Sequence, residues 1–288
     1  MTTNPDYNIQ PKKLIYLAAT LRNEEPFLDE WIIYHKMIGI DHFYLYDDCE
    51  SLPLEKLVEP YKEYVTVIPW YTGHEDMLGR NRQTKAYEHS IMTFGDGYKW
   101  VTFIDGDEFI VLEKHDHLSE FLATFTDAGR IFLNWYVFGH NGYYDDPPGL
   151  ITSLLTRRMK NPSIRYKSIT RINLIEAILS VHRCEVPRGT YTVDANNTPF
   201  NADVPNQAPI AHINHYQCRS FLNWMGRVAR GNTHTGELDE QWKNDYDQCL
   251  KKFVGTVAVD RNEFIDIYML KYKDYLTKEL SRLGRLKI

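Results

Sequence analysis

The sequence predicts an α/β protein, with a mostly parallel sheet, helices between its strands, and a helical C-terminal third. Short apolar runs rich in β-forming residues alternate with helically spaced ones from Lys13 onward. A near-continuous apolar run, Lys99 to Ile104 (KWVTFI), has the composition of a strand buried on both faces and opens directly onto Asp105-Gly106-Asp107-Glu108. Beyond His215 the apolar residues fall at helical spacing instead.

Residues 1–12 read as a polar tail, and Lys13 to Leu21 (KLIYLAATL) as the first strand. From Glu24 to Ile38 the positions Phe27, Trp31, Tyr34 and Ile38 mark a helix that Gly39 caps. His42 to Tyr46 is a second strand ending at Asp47-Asp48, and Tyr64 to Trp70 a third. A helix from Arg82 to Met92 leads into KWVTFI, and further strands are expected at Ala128 to Phe138 and Ser168 to Ile178. Ala195 to Ile210 is a Pro- and Asn-rich loop, long enough to be functional or to settle only on a ligand. Three helices then follow: one marked by Phe221, Trp224, Met225 and Val228, one at Glu237 to Phe253, and one at Asn262 to Leu283.

Composition narrows the function. With 33 Lys+Arg against 39 Asp+Glu the chain carries a net charge of −6, which gives no footprint for nucleic acid. No run approaches the roughly 20 apolar residues of a membrane-spanning helix, and the polar opening lacks the apolar core of a signal peptide. A cytoplasmic protein is the expectation. The 4 cysteines, Cys49, Cys184, Cys218 and Cys249, are scattered without a CxxC pair and read as free thiols. Basic residues dominate the end of the chain (Lys271, Lys273, Lys278, Arg282, Arg285, Lys287), with Asp274 and Glu279 among them. A solvated helix face is the plain reading, and a peripheral contact with anionic lipid or a partner the sharper one.

Ligands of open α/β sheets bind outside the carboxyl ends of the strands. Three polar loops are expected there: Thr20 to Glu24, Asp47 to Ser51, and Asp105 to Glu108. Two carboxylates one residue apart on a turn can face one hard cation, and Mg²⁺ or Mn²⁺ favours one or two carboxylates plus phosphate oxygens. Asp105 and Asp107 fit that role, although acidic turns are common.

Several separated segments resemble those of the glycosyltransferases of the GT-A fold, of the family 2 type and the related family 92 (domain of unknown function 23). They are IYLAATLRNEEPFLDEWIIYHKMIGI at 15–40, Phe43 to Asp48, WVTFIDGDEF at 100–109, NWYVFGHNG at 134–142 and INHYQCRS at 213–220. The resemblance implies a GT-A-like domain over residues 13–218, with 219–288 a helical region packed on or extending it. It implies a metal-dependent, inverting transfer of sugar from a nucleoside-diphosphate sugar, with a UDP-sugar as the expected donor, to a glycan or glycolipid hydroxyl. Surface polysaccharide synthesis is one setting.

Carried over by residue, Thr20, Arg22, Asn23 and Glu24 border the nucleotide, and Asp47 or Asp48 lies near its base or ribose. Asp105 and Asp107 hold Mn²⁺ or Mg²⁺, with His215 as the candidate third ligand and His212 a weaker one. Arg82 and Gln83 reach toward the donor, and either Lys167 or Arg171 stabilises the leaving phosphate. An inverting displacement needs one general base, and Asp145, Asp146, His140 and Glu108 are all candidates. Glu108 is equally a group that orients a metal ligand. Two rival functions remain: a nucleotidyltransferase, for which the first loop lacks a Gly-rich phosphate cradle, and a non-catalytic carbohydrate-binding scaffold on a degenerate GT-A fold. No GxxxxGK[ST] or GxGxxG follows the first strand, which disfavours P-loop and dinucleotide-binding enzymes.

Overall fold

The computed structural model describes residues 12–22, 24–48, 53–70, 82–230, 250–251, 253–254 and 261–286. Asn23, Cys49, Cys249 and most of the expected helix at Glu237 to Phe253 lie outside them. Strands β1 (Lys13–Leu21), β2 (His42–Asp47), β3 (Val65–Pro69) and β4 (Tyr98–Phe103) open the chain. Next come β5 (Glu108–Leu112), β6 (Arg130–Val137), β7 (Arg157–Arg158), β8 (Tyr166–Arg171), β9 (Ala177–Ser180) and β10 (Arg183–Glu185). The last are β11 (Thr192–Asp194), β12 (Ala211–His215) and β13 (Phe264–Ile265).

The main sheet runs β3-β2-β1-β4-β8-β6-β12-β5, with β11 also paired to β6. Within it β1, β2, β3 and β4 are mutually parallel, as are β6, β11 and β12. Antiparallel β8 joins the two groups, and β5 closes the far edge antiparallel to β12. This is the α/β, mostly parallel architecture expected. β1 is buried from Ile15 through Ala19 because helices cover both faces of a parallel sheet.

Helices α1 (Leu28–Met37), α2 (Leu54–Leu57), α3 (Arg82–Phe94), α4 (Leu118–Ala123), α5 (Ile151–Leu154), α6 (Phe221–Arg230) and α7 (Lys273–Arg282) complete it. Helix α1 secures β5, whose outer side would otherwise present unpaired backbone groups. Trp31 Nε1 donates to Glu108 O (2.8 Å), Tyr34 Oη to Ile110 O (2.7 Å), and His35 Nε2 accepts from Ile110 N (3.2 Å). Burial pushes the His35 imidazole down to about 3, so it stays neutral as that acceptor role requires.

Four differences from the expected elements matter. β5 follows the acidic turn at once, so Glu108 starts a strand rather than ending a loop. β12 is a strand that its His and Asn residues conceal; it is buried throughout between β5 and β6. The expected helix from Asn262 instead begins as β13 and a 3₁₀ turn, Tyr268–Tyr272, before α7. The cause is the pairing of β13 with β7, fixed by Arg158 Nε to Asp266 at 2.6 Å and by the Arg158 guanidinium over the Phe264 ring. Likewise the expected strand at Ser168 to Ile178 divides into β8 and β9 around a 3₁₀ turn at Ile172–Leu174.

The loop at Ala195 to Ile210 is irregular but held by its own amides: Asn206 Nδ2 donates to Asp194 (2.9 Å) and Asn196 Oδ1 accepts from Ile210 N (2.9 Å). Cys184 and Cys218 are both buried. Among the described residues no helix is long and apolar enough to cross a membrane. Part of the basic C-terminal charge is internally engaged, with Arg285 on Asp29 (2.6 Å) and Arg282 on Glu279 (3.0 Å).

Candidate active site

Because β1, β2 and β4 are parallel, their carboxyl ends emerge along one edge, and the described parts of the three polar loops meet there. Arg82 at the start of α3 lies 3.2 Å from Asp48, and Arg22 lies 3.9 Å from the same carboxylate. Gly106 allows the acidic turn to close on the loop after β1: a Cβ there would stand 2.8 Å from Leu21 Cδ2 and 3.0 Å from Glu24 Cγ.

Asp105 sits at the centre of a hydrogen-bonded set. Lys167 Nζ donates to its Oδ2 (3.0 Å) and Gln83 Nε2 to its Oδ1 (2.8 Å), and the same amide donates to Tyr87 Oη (2.7 Å). Burial pushes the Asp105 carboxyl up, the Lys167 ammonium beside it pulls it down, and the net direction is down. Lys167 itself is buried, yet its two carboxylate neighbours hold it charged, well above the usual lysine range. Its second neighbour is Glu108, 3.5 Å away, whose Oε2 accepts from Asp105 N (2.9 Å). Glu108 is 0% exposed, and burial raises its carboxyl well above the ordinary range. It shapes the turn and has no route to an acceptor hydroxyl.

Asp107 faces His215 across 3.4 Å (Oδ2 to Nε2), and Tyr216 N donates to Asp107 O (2.8 Å). Among the described residues no three His, Cys, Asp or Glu side chains gather around one point. The set Asp105, Asp107 and His215 is therefore not a closed cage, since both oxygens of Asp105 already accept hydrogen bonds. A carboxylate and an imidazole facing each other still fit Mn²⁺ or Mg²⁺, which keep most of their positions for water and phosphate oxygens. Among the described residues, Nδ1 of buried His215 has no hydrogen-bond partner.

Several sequence candidates sit elsewhere or do something else. Asp47, at the end of β2, is buried and accepts from Leu54 N (2.9 Å) at the entry to α2. Glu24 is buried and ion-paired with Arg219. Thr20 Oγ1, at the end of β1, is buried without a hydrogen-bond partner among the described residues.

Arg171 lies at the far end of β8, donating to the carbonyls of Ala128, Phe125 and Thr126, so Lys167 alone of the two reaches the site. His212 points to the opposite face of β12 from His215 and bonds Asn214 Oδ1 (3.0 Å). Asp145 and Asp146 are exposed, the latter accepting from Ser220 Oγ (2.8 Å), and His140 Nδ1 bonds Asn262 (3.1 Å). Sequence reasoning missed Tyr87, Trp135 and Arg219. The Trp135 ring lies 4.4 Å from His215, and both Trp135 and Arg219 stood within quoted segments without being singled out.

Glycosyltransferase family 92 proteins of Ricinus communis, Arabidopsis thaliana and Oryza sativa are 25%, 26% and 25% identical, over 90%, 94% and 91% of this chain. The chain spans 45%, 47% and 44% of their lengths. Among solved structures, S. aureus TarS 1-349 is similar at a TM-score of 0.37 and 16% identity, over 56% of this chain and 48% of that one. Glucosyl-3-phosphoglycerate synthase from Mycobacterium tuberculosis, in complex with Mn²⁺, UDP and glucosyl-3-phosphoglycerate, is similar at 0.34 and 12% identity, over 57% and 58%. The model of the glycosyltransferase family 92 domain matches residues 12–253, and this chain belongs to that family.

Proposed function

We propose that the chain is a metal-dependent inverting glycosyltransferase that moves a sugar from a nucleoside-diphosphate sugar, a UDP-sugar first among them, to a glycan or glycolipid hydroxyl. The observation that carries this reading is the acidic turn at the carboxyl edge, flanked by the buried ammonium of Lys167 and by His215. An anion-binding edge needs positive charge in reach, and a dry ammonium acts on a departing diphosphate far more strongly than one in water.

Asp107 and His215 would hold the divalent ion, which when bound neutralises charge on the diphosphate. Asp105 fixes Lys167 at the edge, and Gln83 and Tyr87 fix Asp105. Arg82 and Arg22, beside Asp48, add positive charge where the nucleotide approaches. The acceptor hydroxyl loses its proton to a base as it attacks C1 of the sugar, and the C1–oxygen bond to the diphosphate breaks on the opposite side. Of the four candidate bases, exposed Asp145 and Asp146 are within reach of a solvent-borne acceptor, and Glu108 is not.

The test is a thermal-shift screen against UDP, GDP, CDP, TDP and ADP, each with and without Mn²⁺, since a ligand bound only by the native state raises Tm. Metal-dependent stabilisation by one diphosphate is expected, with UDP the strongest. No shift with any of them would leave the scaffold reading in its place.

A further inference from the structure

Arg219 follows β12 and reaches back to the loop after β1, where its guanidinium pairs with Glu24. It is 1% exposed and lies over the Phe27 ring at 4.2 Å. A buried ion pair is a poor source of stability, because desolvation offsets most of the Coulomb gain, so its placement calls for another account.

Glu24 supplies that account. Its side chain is the surface against which Gly106 closes, with Cγ 3.0 Å from where a Cβ would sit. From the end of β12 Tyr216 N holds Asp107 O, and His215 faces the Asp107 carboxylate. The acidic turn is thus gripped between the loop after β1 and the end of β12, and the Arg219–Glu24 pair ties these two walls together.

We propose that Arg219 is a positioning residue: through Glu24 it sets the spacing of the two walls and so the shape of the Asp105-Gly106-Asp107 turn. The proposal rests on the reading that this turn receives a metal diphosphate. Glu30 provides a control, since it is buried in the same charge network but accepts from Ile151 N, Thr152 N and Thr152 Oγ1, away from the turn.

The experiment compares wild type, Arg219→Gln, Arg219→Lys, Glu24→Gln/Arg219→Gln and Glu30→Gln by two readouts. One is hydrogen–deuterium exchange of the peptide covering 103–109; the other is the Mn²⁺ concentration at half-maximal stabilisation by UDP. Arg219→Gln is expected to speed exchange of that peptide and to raise the Mn²⁺ midpoint about tenfold, as losses of groups that orient metal ligands do. Arg219→Lys recovers part of both. The double variant leaves no unpaired buried charge, so it folds even where Arg219→Gln does not, and gives the same two changes. Glu30→Gln lowers Tm and moves neither readout. Wild-type exchange and an unchanged midpoint in the folded Arg219 variants overturn the proposal. If wild type shows no metal-dependent stabilisation by nucleotide, the metal reading fails, while the exchange comparison still decides whether Arg219 holds the turn.

Discussion

The two ends of β8 carry the same kind of charge in different surroundings. At the site end Lys167 is buried against two carboxylates, Asp105 and Glu108, at 3.0 and 3.5 Å. At the other end Arg171 lies over the Trp100 ring at 4.3 Å and donates to three backbone carbonyls that close the turn after α4. Carbonyls can hold a cation but cannot trade it for another anion. Carboxylates that crowd a single ammonium can share it with an incoming phosphate. The difference separates a charge locked onto backbone carbonyls from one set beside the acidic turn, although the sequence YKSITR presents both alike.

The largest expected effect breaks this comparison at its buried end. Lys167→Met leaves Asp105 and Glu108 together without a counter-charge, at a cost of about 3–5 kcal/mol in stability, and transfer activity falls below detection. Arg171→Met costs about 1–3 kcal/mol through lost charge-assisted hydrogen bonds and keeps its turnover. Urea denaturation and a transfer assay on both variants check this. Equal activities would contradict the assignment.

Next come the carboxylates. Asp107→Ala is expected to abolish Mn²⁺-dependent stabilisation by UDP with the fold intact, and Asp105→Ala to weaken it while lowering stability, because buried Lys167 loses its nearest carboxylate; normal UDP affinity in manganese for both would end the metal reading. The two histidines of β12 sharpen the point at smaller scale. His215→Ala should weaken Mn²⁺ affinity about tenfold, whereas His212→Ala, on the opposite face, leaves it unchanged, as a Mn²⁺ titration in the presence of UDP would report.

The smallest effect is a pH dependence. His35 has its imidazole pushed to about 3 by burial, against an ordinary value of 6.5. Between these values the unfolded chain binds a proton that the folded chain refuses, so stability is full above pH 6.5 and lost as the pH falls. The slope is about 1.4 kcal/mol per pH unit for one such group. His35→Gln should flatten the fall in urea midpoint between pH 6 and about 4, with His42 and His212, each pushed to about 4, adding to that fall. An unchanged slope would mean that His35 protonates within the fold.

Much of this was legible in the sequence, and the physical reasons mark where legibility stopped. Periodicity located β1 to β4, α1 and α3, since each is long or strongly patterned. The parallel order then placed the acidic turn beside Arg22 and Asp48 without further information. β12 went unread because His212 and Asn214 interrupt an apolar pattern, and only pairing on both sides makes AHINH a strand. Asp47 and Asp48 are indistinguishable in a line of text, but the fold buries one at the entry to α2 and leaves the other at the edge. The partner of Glu24 lies 195 positions away, a separation no local pattern spans.

On the proposed function the carboxyl edge binds a cation between Asp107 and His215 in company with a diphosphate. Crystals grown with Mn²⁺ and UDP test it most directly, by anomalous scattering at the manganese edge. One strong peak beside Asp107 and His215 is expected, with a diphosphate near Lys167. A nucleotide bound with no manganese peak at that pair, or with the peak on other residues, would contradict it.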